Sequence, residues 1–439
     1  MSKSASYRSA TSAPSMSSAA RAPPAIPAPS SAWPSPSRRS TPTPPSSRSC
    51  PRPFSPGRRC PGAAKRPSTR YESWMPSASP TPAAGGSVSS HCRRLTEMSN
   101  SETVKWGIIS TANIGLHRVI PAIQAAADTE VVAISSRDAE RAAAAAAELG
   151  IPGHYGSYEE LLADPDIQVV YNPLPNGMHH DWVLKAAAAG KHSLCEKPMA
   201  DDVTQAVAMT EASARAGVLL LEAFMWRFGN RVQRARELIR QGDIGDPRLV
   251  RASFSFPLPR DPTNVRFLKE LSGGALEDAG GYPVSATRFM FDAEPESVEA
   301  TLHWDDEFDV NIGGVASLAY SEGRQALVDF SFAQERRQRL EIVGTEGSID
   351  IEDFILPATA DSTLRIARGG EAELEIFPPV NTYTLQAEAM NRAVNGGEPL
   401  PWDGDDAIRQ VRVLDAIRES HLGGGRVELA PHRKVDADG

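Results

Sequence analysis

The stretch Lys191-His192-Ser193-Leu194-Cys195-Glu196-Lys197-Pro198 joins a short strand-like run to a charged pair and a proline. The run ends at Cys195, so Lys197 follows it by two positions. In an open parallel sheet the ligand crevice lies beyond the carboxyl ends of the strands, and a residue at that place projects into it. The stretch therefore predicts a site at Lys197. A surface Glu-Lys pair ahead of a helix-starting proline would show the same residues, and this alternative stays open.

Strand-like and helix-like segments alternate on both sides of this stretch. Apolar runs at 104–110, 131–135, 168–171 and 218–221 are separated by helix-like segments and short links. Such alternation predicts a parallel, right-handed, doubly wound sheet. The carboxyl ends of its strands share the rim that carries Lys197.

The first strand-like run passes into a helix-like segment through a short turn. A dinucleotide-binding turn has glycine at three places, and the aligned residues here are Ser110, Ala112 and Gly115. Ser and Ala are the smallest side chains after Gly, so a phosphate can still approach the backbone N–H groups at the helix start. The expected cofactor contacts are Ser110, Thr111, Ala112, Asn113 and Ile114. An ordinary strand-helix unit is the alternative.

The second strand-like run ends at Ser135, about where dinucleotide-binding chains carry an acidic residue. Ser136 and Arg137 follow instead. A carboxylate there binds the ribose of NAD and repels an added 2′-phosphate, whereas a hydroxyl and a guanidinium bind that phosphate. The pair therefore predicts NADP in preference to NAD. The alternative is that Arg137 faces solvent beside Asp138.

The run at 168–171 leads into Pro175, Asn176 and His179, which the parallel topology places at the same rim as Lys197. The neighbouring His179 and His180 could be metal ligands. They point in different directions on a helix, however, and no Cys/His cluster follows. The sequence therefore predicts no metal site.

The second half of the chain has a different pattern, in which strand-like runs predominate. In the run 325–332 apolar and polar residues alternate, with Val328 and Phe330 on the apolar side. Runs of this kind predict a mostly antiparallel sheet with one buried face. Segments 384–394 and 407–418 close the chain as helices.

A glycine-rich segment at 273–283 stands apart from these strands. It contains Asp278 and Tyr282, four residues apart, which a helical turn would place on one side. A loop with a capping Asp and a packed Tyr is the alternative.

Residues 1–97 are dominated by Ser, Pro, Ala and Arg. They carry 14 Lys and Arg against 2 acidic residues, whereas the remainder carries 32 against 53 and has a net charge of -21. Such a leader cannot bury enough apolar surface to offset chain entropy, so we expect a disordered extension that translation from Met98 would omit. Its scattered arginines lack the pattern of a nucleic-acid-binding or export segment.

The part after Met98 has the features of an acidic, soluble protein. Cys195 is the only one of four cysteines that it contains, which excludes a disulfide framework there and indicates a reducing compartment. No apolar run approaches the roughly 18 residues of a membrane span. We therefore expect a cytoplasmic protein with neither a membrane nor a nucleic-acid partner.

Three motifs together make the chain similar to the Gfo/Idh/MocA family of NAD(P)-dependent oxidoreductases, from Lys105 to about Leu429. They are Glu196-Lys197-Pro198, Pro175-Asn176 with His179, and the segment from Gly274 to Tyr282. The runs 106–114 and 222–228 resemble the branch that holds dimeric dihydrodiol dehydrogenases and NADP-linked D-xylose dehydrogenases.

The resemblance implies an α/β chain with a doubly wound Rossmann domain at 98–225, followed at 226–439 by an α+β domain with an open, mostly antiparallel sheet that commonly supports homo-oligomers. It implies that Lys197 is the central catalytic residue, with a cis Lys197–Pro198 bond, and that Tyr282 is the acid/base. The substrate contacts expected with them are Asp278, His179 and Arg227. The cofactor contacts expected at the rim are Pro175, Asn176 and Glu196, together with Lys197.

The activity implied is hydride transfer between NADP and a secondary alcohol or hemiacetal carbon of a sugar or a related cyclic diol. Tyr282 would move the hydroxyl proton, and the Lys197 ammonium is expected to lower the tyrosine pKa from about 10. Two alternatives stay open. The chain could be a non-catalytic NADP-binding sensor on the same fold, or His179 could carry the proton while Tyr282 packs.

Overall fold

The computed structural model describes residues 102–431, which contain two sheets. The predicted extension 1–97 and Met98 lie outside the described residues. The first sheet is parallel and has six strands: β1 (Val104–Ile108), β2 (Thr129–Ser135), β3 (Gly153–Tyr155), β4 (Val169–Asn172), β5 (His192–Cys195) and β6 (Leu220–Glu222).

Five helices connect these strands: α1 (Ile120–Gln124), α2 (Ala139–Leu149), α3 (Tyr158–Ala163), α4 (His179–Ala188) and α5 (Val203–Arg215). Local chemistry sets several of their ends. The Asp138 side chain accepts hydrogen bonds from the first N–H groups of α2, and Gly150 ends that helix in the left-handed conformation. Ser157 and Asp202 cap α3 and α5 in the same way.

The strand order in the first sheet is β3-β2-β1-β4-β5-β6. The order reverses between β1 and β4, so a crevice opens beyond the carboxyl ends of these two strands. The turns after β1, β2, β4 and β5 all reach this rim. This topology confirms the predicted doubly wound parallel sheet.

The second sheet has nine strands in the order β14-β13-β12-β11-β7-β10-β9-β8-β15. Of its pairings only β7 with β10 is parallel, which confirms the predicted mostly antiparallel sheet. The strands are β7 (Pro247–Ser255), β8 (Ser297–Asp305), β9 (Val310–Ala319), β10 (Gln325–Ser331), β11 (Arg337–Gly344), β12 (Gly347–Glu352), β13 (Ser362–Arg368), β14 (Glu371–Phe377) and β15 (Val427–Glu428).

Four more helices accompany this sheet: α6 (Asn230–Gln241), α7 (Gly281–Phe291), α8 (Thr382–Val394) and α9 (Gly404–Gly423). Helix α7 packs on β7 and α9 packs on β8, so these helices cover the apolar face. On the opposite face Val315 and Leu327 are exposed. Helix α8 returns to α1 beside the first sheet, where Thr384 Oγ1 donates to the Ala122 carbonyl at 3.1 Å. None of the described helices is both long and apolar enough to cross a membrane.

The helix-like segment that follows the first strand-like run differs from an ordinary α-helix. It begins as a π-helical turn, Gly115–Val119, and only its second part is α1. The prediction gave no bounds for the strand β3, because a three-residue strand leaves almost no periodicity, and it also missed the seven-residue strand β13. The predicted domain boundary at 225/226 falls in a single 3-10 turn, Met225–Phe228, between the two sheets.

Candidate active site

A cleft of about 1020 Å³ lies between the rim of the first sheet and one end of the second. Both the turn after β1 and the segment that leads into α7 contribute to it. Most of the residues predicted for the site line this cleft: Thr111, Ala112, Asn113, Ile114, Arg137, Pro175, Asn176, Glu196, Lys197, Asp278 and Tyr282. Ser110, Ser136, His179 and Arg227 do not.

The turn after β1 has the backbone shape of a dinucleotide-binding turn. Ser110 has φ of 72°, in the left-handed region that favours glycine, and its Oγ accepts a hydrogen bond from Ala112 N at 3.3 Å. Ser110 is buried just beneath the cleft, while Thr111 to Ile114 form the surface. The serine thus shapes the turn from below.

Two arginines line the cleft beside β2. Arg137 was predicted, and Arg141 stands one helical turn further along, at the start of α2. The four-residue spacing was the signal that could have found Arg141. The prediction that Ser136 contacts the cofactor does not fit the structure. Ser136 is buried, and its Oγ accepts a hydrogen bond from Asp138 N at 3.2 Å. Its hydroxyl stabilises the turn instead of lining the cleft.

Lys197 is held by a carboxylate from the other side of the cleft. The Lys197–Pro198 bond is cis, as expected. Nζ of Lys197 donates to the Asp278 carbonyl at 2.9 Å and to Oδ1 of Asp278 at 3.0 Å. Nε of Arg266 donates to the other oxygen, Oδ2, at 2.7 Å. Burial alone would raise the pKa of Asp278, but these two cations lower it, so the carboxylate is charged.

Tyr282 lies beside this ion pair, under Lys197. Nζ of Lys197 is 4.8 Å from the centre of the Tyr282 ring, and the ring packs edge-to-face on Phe224 and Phe254. The pKa of Tyr282 is raised well above 10, first by burial and then by the charges of Glu196 and Asp278. The expectation that Lys197 lowers this pKa was wrong, because Asp278 neutralises the ammonium and Nζ lies over the ring face.

Glu196 is half-buried at the base of the cleft. The Tyr171 hydroxyl donates to its Oε1 at 2.7 Å, and burial raises the pKa of Glu196. Asn176 connects the rim to the segment that leads into α7, since its Nδ2 donates to the Ser272 carbonyl at 2.9 Å. This second contact holds the two walls of the cleft together.

His179 does not fit the substrate-binding role that the sequence suggested. It is fully buried, with Nδ1 2.9 Å from the Pro198 carbonyl and Nε2 2.8 Å from the Leu174 carbonyl. Both ring nitrogens therefore face backbone oxygens, and burial lowers the pKa of the imidazole. The histidine ties the turn after β4 to the turn after β5, away from any substrate. The same contacts argue against His179 as the proton carrier.

Arg227 also lies outside the cleft. It is 2% exposed, and its Nη1 pairs with Oδ2 of Asp406 at 2.6 Å while Nε and Nη2 donate to Ser285 Oγ at 3.2 and 2.9 Å. Arg227 thus links the end of β6 to α7 and α9. The expectation that it contacts substrate does not fit this position.

Among the cleft residues that were not predicted from the sequence are His117, Arg118 and Tyr383. His117 and Arg118 come from the π-helical turn after β1. Tyr383 comes from α8, is 7% exposed, and has no hydrogen-bond partner for its hydroxyl within residues 102–431. No local pattern marks Tyr383, because the packing of α8 on the first sheet brings it to the cleft.

Family models match both halves of the chain. Residues 104–224 match the oxidoreductase family with an NAD-binding Rossmann fold, and residues 232–350 match the GFO/IDH/MocA C-terminal domain. The chain belongs to the Gfo/Idh/MocA family. This membership confirms the family suggested by the three motifs and makes the protein an oxidoreductase.

Similar members of the family act on sugars and diols. D-xylose 1-dehydrogenase (NADP(+)) 2 from Haloferax volcanii is 42% identical over 74% of this chain and 99% of its own length. Trans-1,2-dihydrobenzene-1,2-diol dehydrogenase from Xenopus laevis is 38% identical over 72% of this chain and 92% of its own. A crystal structure of a 3-ketoreductase from Actinomadura kijaniata with NADP and TDP-benzene has a TM-score of 0.69 and 32% identity, covering 73% of this chain and 98% of that one.

Proposed function

We propose that the protein is an NADP-dependent oxidoreductase that transfers hydride between the nicotinamide and a secondary alcohol or hemiacetal carbon of a sugar or a related cyclic diol. One observation carries the proposal. A single cleft joins a dinucleotide-binding turn with two arginines, Arg137 and Arg141, to Lys197 and Tyr282. The names of the relatives support both the cofactor and the substrate class.

The residues present fit NADP. Arg137 and Arg141 have no carboxylate partner within residues 102–431, so both guanidiniums can bind the 2′-phosphate. The surface from Thr111 to Ile114 lies where the pyrophosphate of a dinucleotide binds in this fold. Bound NADP supplies the hydride acceptor or donor.

In this reaction Tyr282 would transfer the proton and Lys197 would stabilise the developing charge. Because the pKa of Tyr282 is raised, its hydroxyl keeps its proton at neutral pH and can donate that proton to a carbonyl oxygen during reduction. Lys197 would stabilise the negative charge that develops on the same oxygen. Asp278 positions Lys197 from the opposite wall. We assign Asp278 this positioning role in place of the substrate contact expected from the sequence.

The alternative is that the chain is a non-catalytic sensor, which would bind NADP without turning over a substrate. The relatives are named as dehydrogenases and reductases, and Lys197 and Tyr282 both reach the cleft, so we favour the enzyme. NADP reduction measured against aldoses and trans-dihydrodiols tests the choice. Turnover is expected with at least one of them. Tight NADP binding with no turnover of any sugar or diol, in either direction, would favour the sensor.

We further propose a cytoplasmic homo-oligomer that associates through the open face of the second sheet. Val315 and Leu327 are exposed on this face, and apolar side chains there are suited to pairing with a second copy. Cys195 is buried and unpaired, as a reducing compartment allows.

A further inference from the structure

The cations at the two ends of the cleft differ in whether they have carboxylate partners. Three guanidiniums line the part formed by the first sheet: Arg118, Arg137 and Arg141. None of them pairs with a carboxylate within residues 102–431. They stand beside the turns that bind a dinucleotide in this fold, so the phosphates of NADP would engage them.

The cations of the substrate end are already paired. The segment 261–274 forms this wall. Arg266 lines the cleft, whereas Arg260 and Lys269 belong to the same stretch of chain without lining it. Arg266 donates to Asp278 at 2.7 Å, and Nη2 of Arg260 donates to Asp305 at 3.2 Å.

Carboxylates also neutralise the other cations of this part of the chain. Arg260 also contacts Glu307, and Lys269 contacts Asp309. At the reacting centre the two positive charges of Lys197 and Arg266 face the carboxylates of Asp278 and Glu196. A phosphate would therefore meet cations whose charge is already offset by carboxylates.

The substrate end also presents an unpaired carboxylate. Asp261 is exposed on the cleft wall, and its Oδ1 accepts hydrogen bonds from Thr263 N at 2.8 Å and Thr263 Oγ1 at 2.7 Å. No cation of the described chain pairs with it. The Thr263 bonds fix this negative charge at the cleft wall.

We propose that the substrate site selects an uncharged sugar or diol and rejects phosphorylated and nucleotide-linked sugars. The inference rests on the proposed function and specifies its substrate class. A phosphate group is bound by charge-assisted hydrogen bonds from free cations. Here Lys197 and Arg266 already share the carboxylate of Asp278, so their attraction for a phosphate is reduced, and Asp261 adds repulsion.

The first test compares a hexose with its 6-phosphate, since both form the same pyranose ring. With NADP saturating, kcat/KM for the best uncharged hexose should exceed that for its 6-phosphate by about tenfold or more, because the phosphate meets the charge of Asp261 while the nearby cations already face carboxylates. Equal or better turnover of the phosphate ester, or of a dTDP-linked keto sugar with NADPH, would overturn the inference.

The second test measures binding, so it gives an answer even if no sugar reacts. The complex with NADPH is titrated with dTDP, and no binding is expected below millimolar concentration. A Kd in the micromolar range would overturn the inference. Absence of turnover with every sugar and diol would count against the proposed function alone, because the dTDP titration would still decide the charge preference.

A pair of variants links the preference to the cleft wall. Asp261→Lys should tighten dTDP binding to the NADPH complex by about tenfold, since it replaces repulsion with attraction. Glu270→Lys makes the same change of net charge at an exposed residue of the same segment that does not line the cleft, and it should change dTDP binding less than twofold. Equal effects of the two variants would show that net charge, not Asp261, sets the preference.

Discussion

At the residue scale, Asp278 connects the two catalytic candidates. One oxygen holds Lys197 and the other holds Arg266, while the same charge helps to raise the pKa of Tyr282. The carboxylate therefore keeps the ammonium in place and the phenol protonated. Such a pair suits proton donation to a carbonyl more directly than proton abstraction from an alcohol.

Replacing Tyr282 tests its proton transfer. Tyr282→Phe should lower turnover by roughly two to four orders of magnitude, the usual share of general acid/base catalysis, while the Kd for NADP stays within about twofold. Lys197→Met should be comparably damaging. The double variant should lose far less than the product of the two single losses, because the residues act as a unit. Near-normal turnover of Tyr282→Phe in steady-state assays would contradict the assignment.

The raised pKa of Tyr282 fixes the direction of the pH dependence. Reduction uses the protonated hydroxyl, so its kcat/KM should be flat from pH 6 to 9. Oxidation needs the scarce deprotonated form, so its kcat/KM should rise about tenfold per pH unit over that range. Tyr282→Phe should lose this slope, and a plateau near pH 7 in the wild-type profile would show that another group carries the proton.

The roles of Arg137 and Arg141 can be tested by comparing how their replacement changes the affinities for NADP and for NAD. Arg137→Ala should weaken NADP by about 1.5 to 3 kcal/mol, because a hydrogen bond to a charged phosphate is lost, and should leave NAD nearly unchanged. Arg141→Ala should act in the same direction. Fluorescence titration with both cofactors measures the change. Equal losses for NADP and NAD would assign these arginines a structural role.

The sequence predicted the residues at strand ends better than the direction of their side chains. Lys197 and Asn176 reach the cleft, as their place after β5 and β4 suggested. His179 starts α4 at the same rim, yet its ring turns inward to two carbonyl groups. Strand order gives the position of a turn, but only packing decides which side chains of that turn face the ligand.

At the element scale, Glu222 marks the end of β6 with a buried acid that the proposed mechanism does not use. Its Oε1 accepts a hydrogen bond from Met199 N at 2.9 Å, and its Oε2 has no partner within the described residues. Burial, with a smaller contribution from Asp406, raises the pKa of Glu222 to about 7. The group therefore favours the folded state most at acidic pH.

The sign of this effect can be tested by denaturation. Because the folded pKa lies above the unfolded value, the stabilisation is present below about pH 4.5 and is lost as the pH rises to about 7. The loss amounts to about 3 kcal/mol of unfolding free energy. Glu222→Gln should remove this part of the pH dependence in urea unfolding at pH 5 and 8. The exposed Glu419→Gln is the control and should keep the wild-type dependence.

The sequence predicted which segments are helices and strands better than it predicted which of them contribute residues to the cleft. Alternating apolar residues revealed β10, and the caps of α2 and α5 agree with their sequence. Tyr383 was missed because α8 lies far along the chain and docks on the first sheet through Thr384 and Asn391. Contacts between distant elements leave no periodic signal in either segment.

At the scale of the whole molecule, the matched family regions begin at residue 104 and the described residues at 102. A chain that starts at Met98 should therefore keep the kcat/KM and melting temperature of the full chain. Both quantities can be compared after parallel purification. Loss of soluble, NADP-binding protein on truncation would show that residues 1–97 contribute to the fold.

The open face of the second sheet gives a prediction for assembly. Val315→Lys combined with Leu327→Lys places two charges on this face and should shift the protein from oligomer to monomer, because burying them in an interface is costly. Analytical ultracentrifugation measures the change. Leu422→Lys, at a highly exposed apolar residue of α9, should leave the oligomer intact. A wild-type monomer at micromolar concentration would contradict the proposed assembly.

The turn at Ser110 has a consequence for recognising cofactor sites in other chains. Its backbone has the conformation that glycine adopts most easily, although glycine is absent and the serine hydroxyl supports the turn from inside. A search for three spaced glycines would pass over this protein. The glycine fingerprint thus describes the least strained way to build such a turn. Genome surveys that depend on it will undercount the dinucleotide-binding enzymes that form the same turn with other small residues.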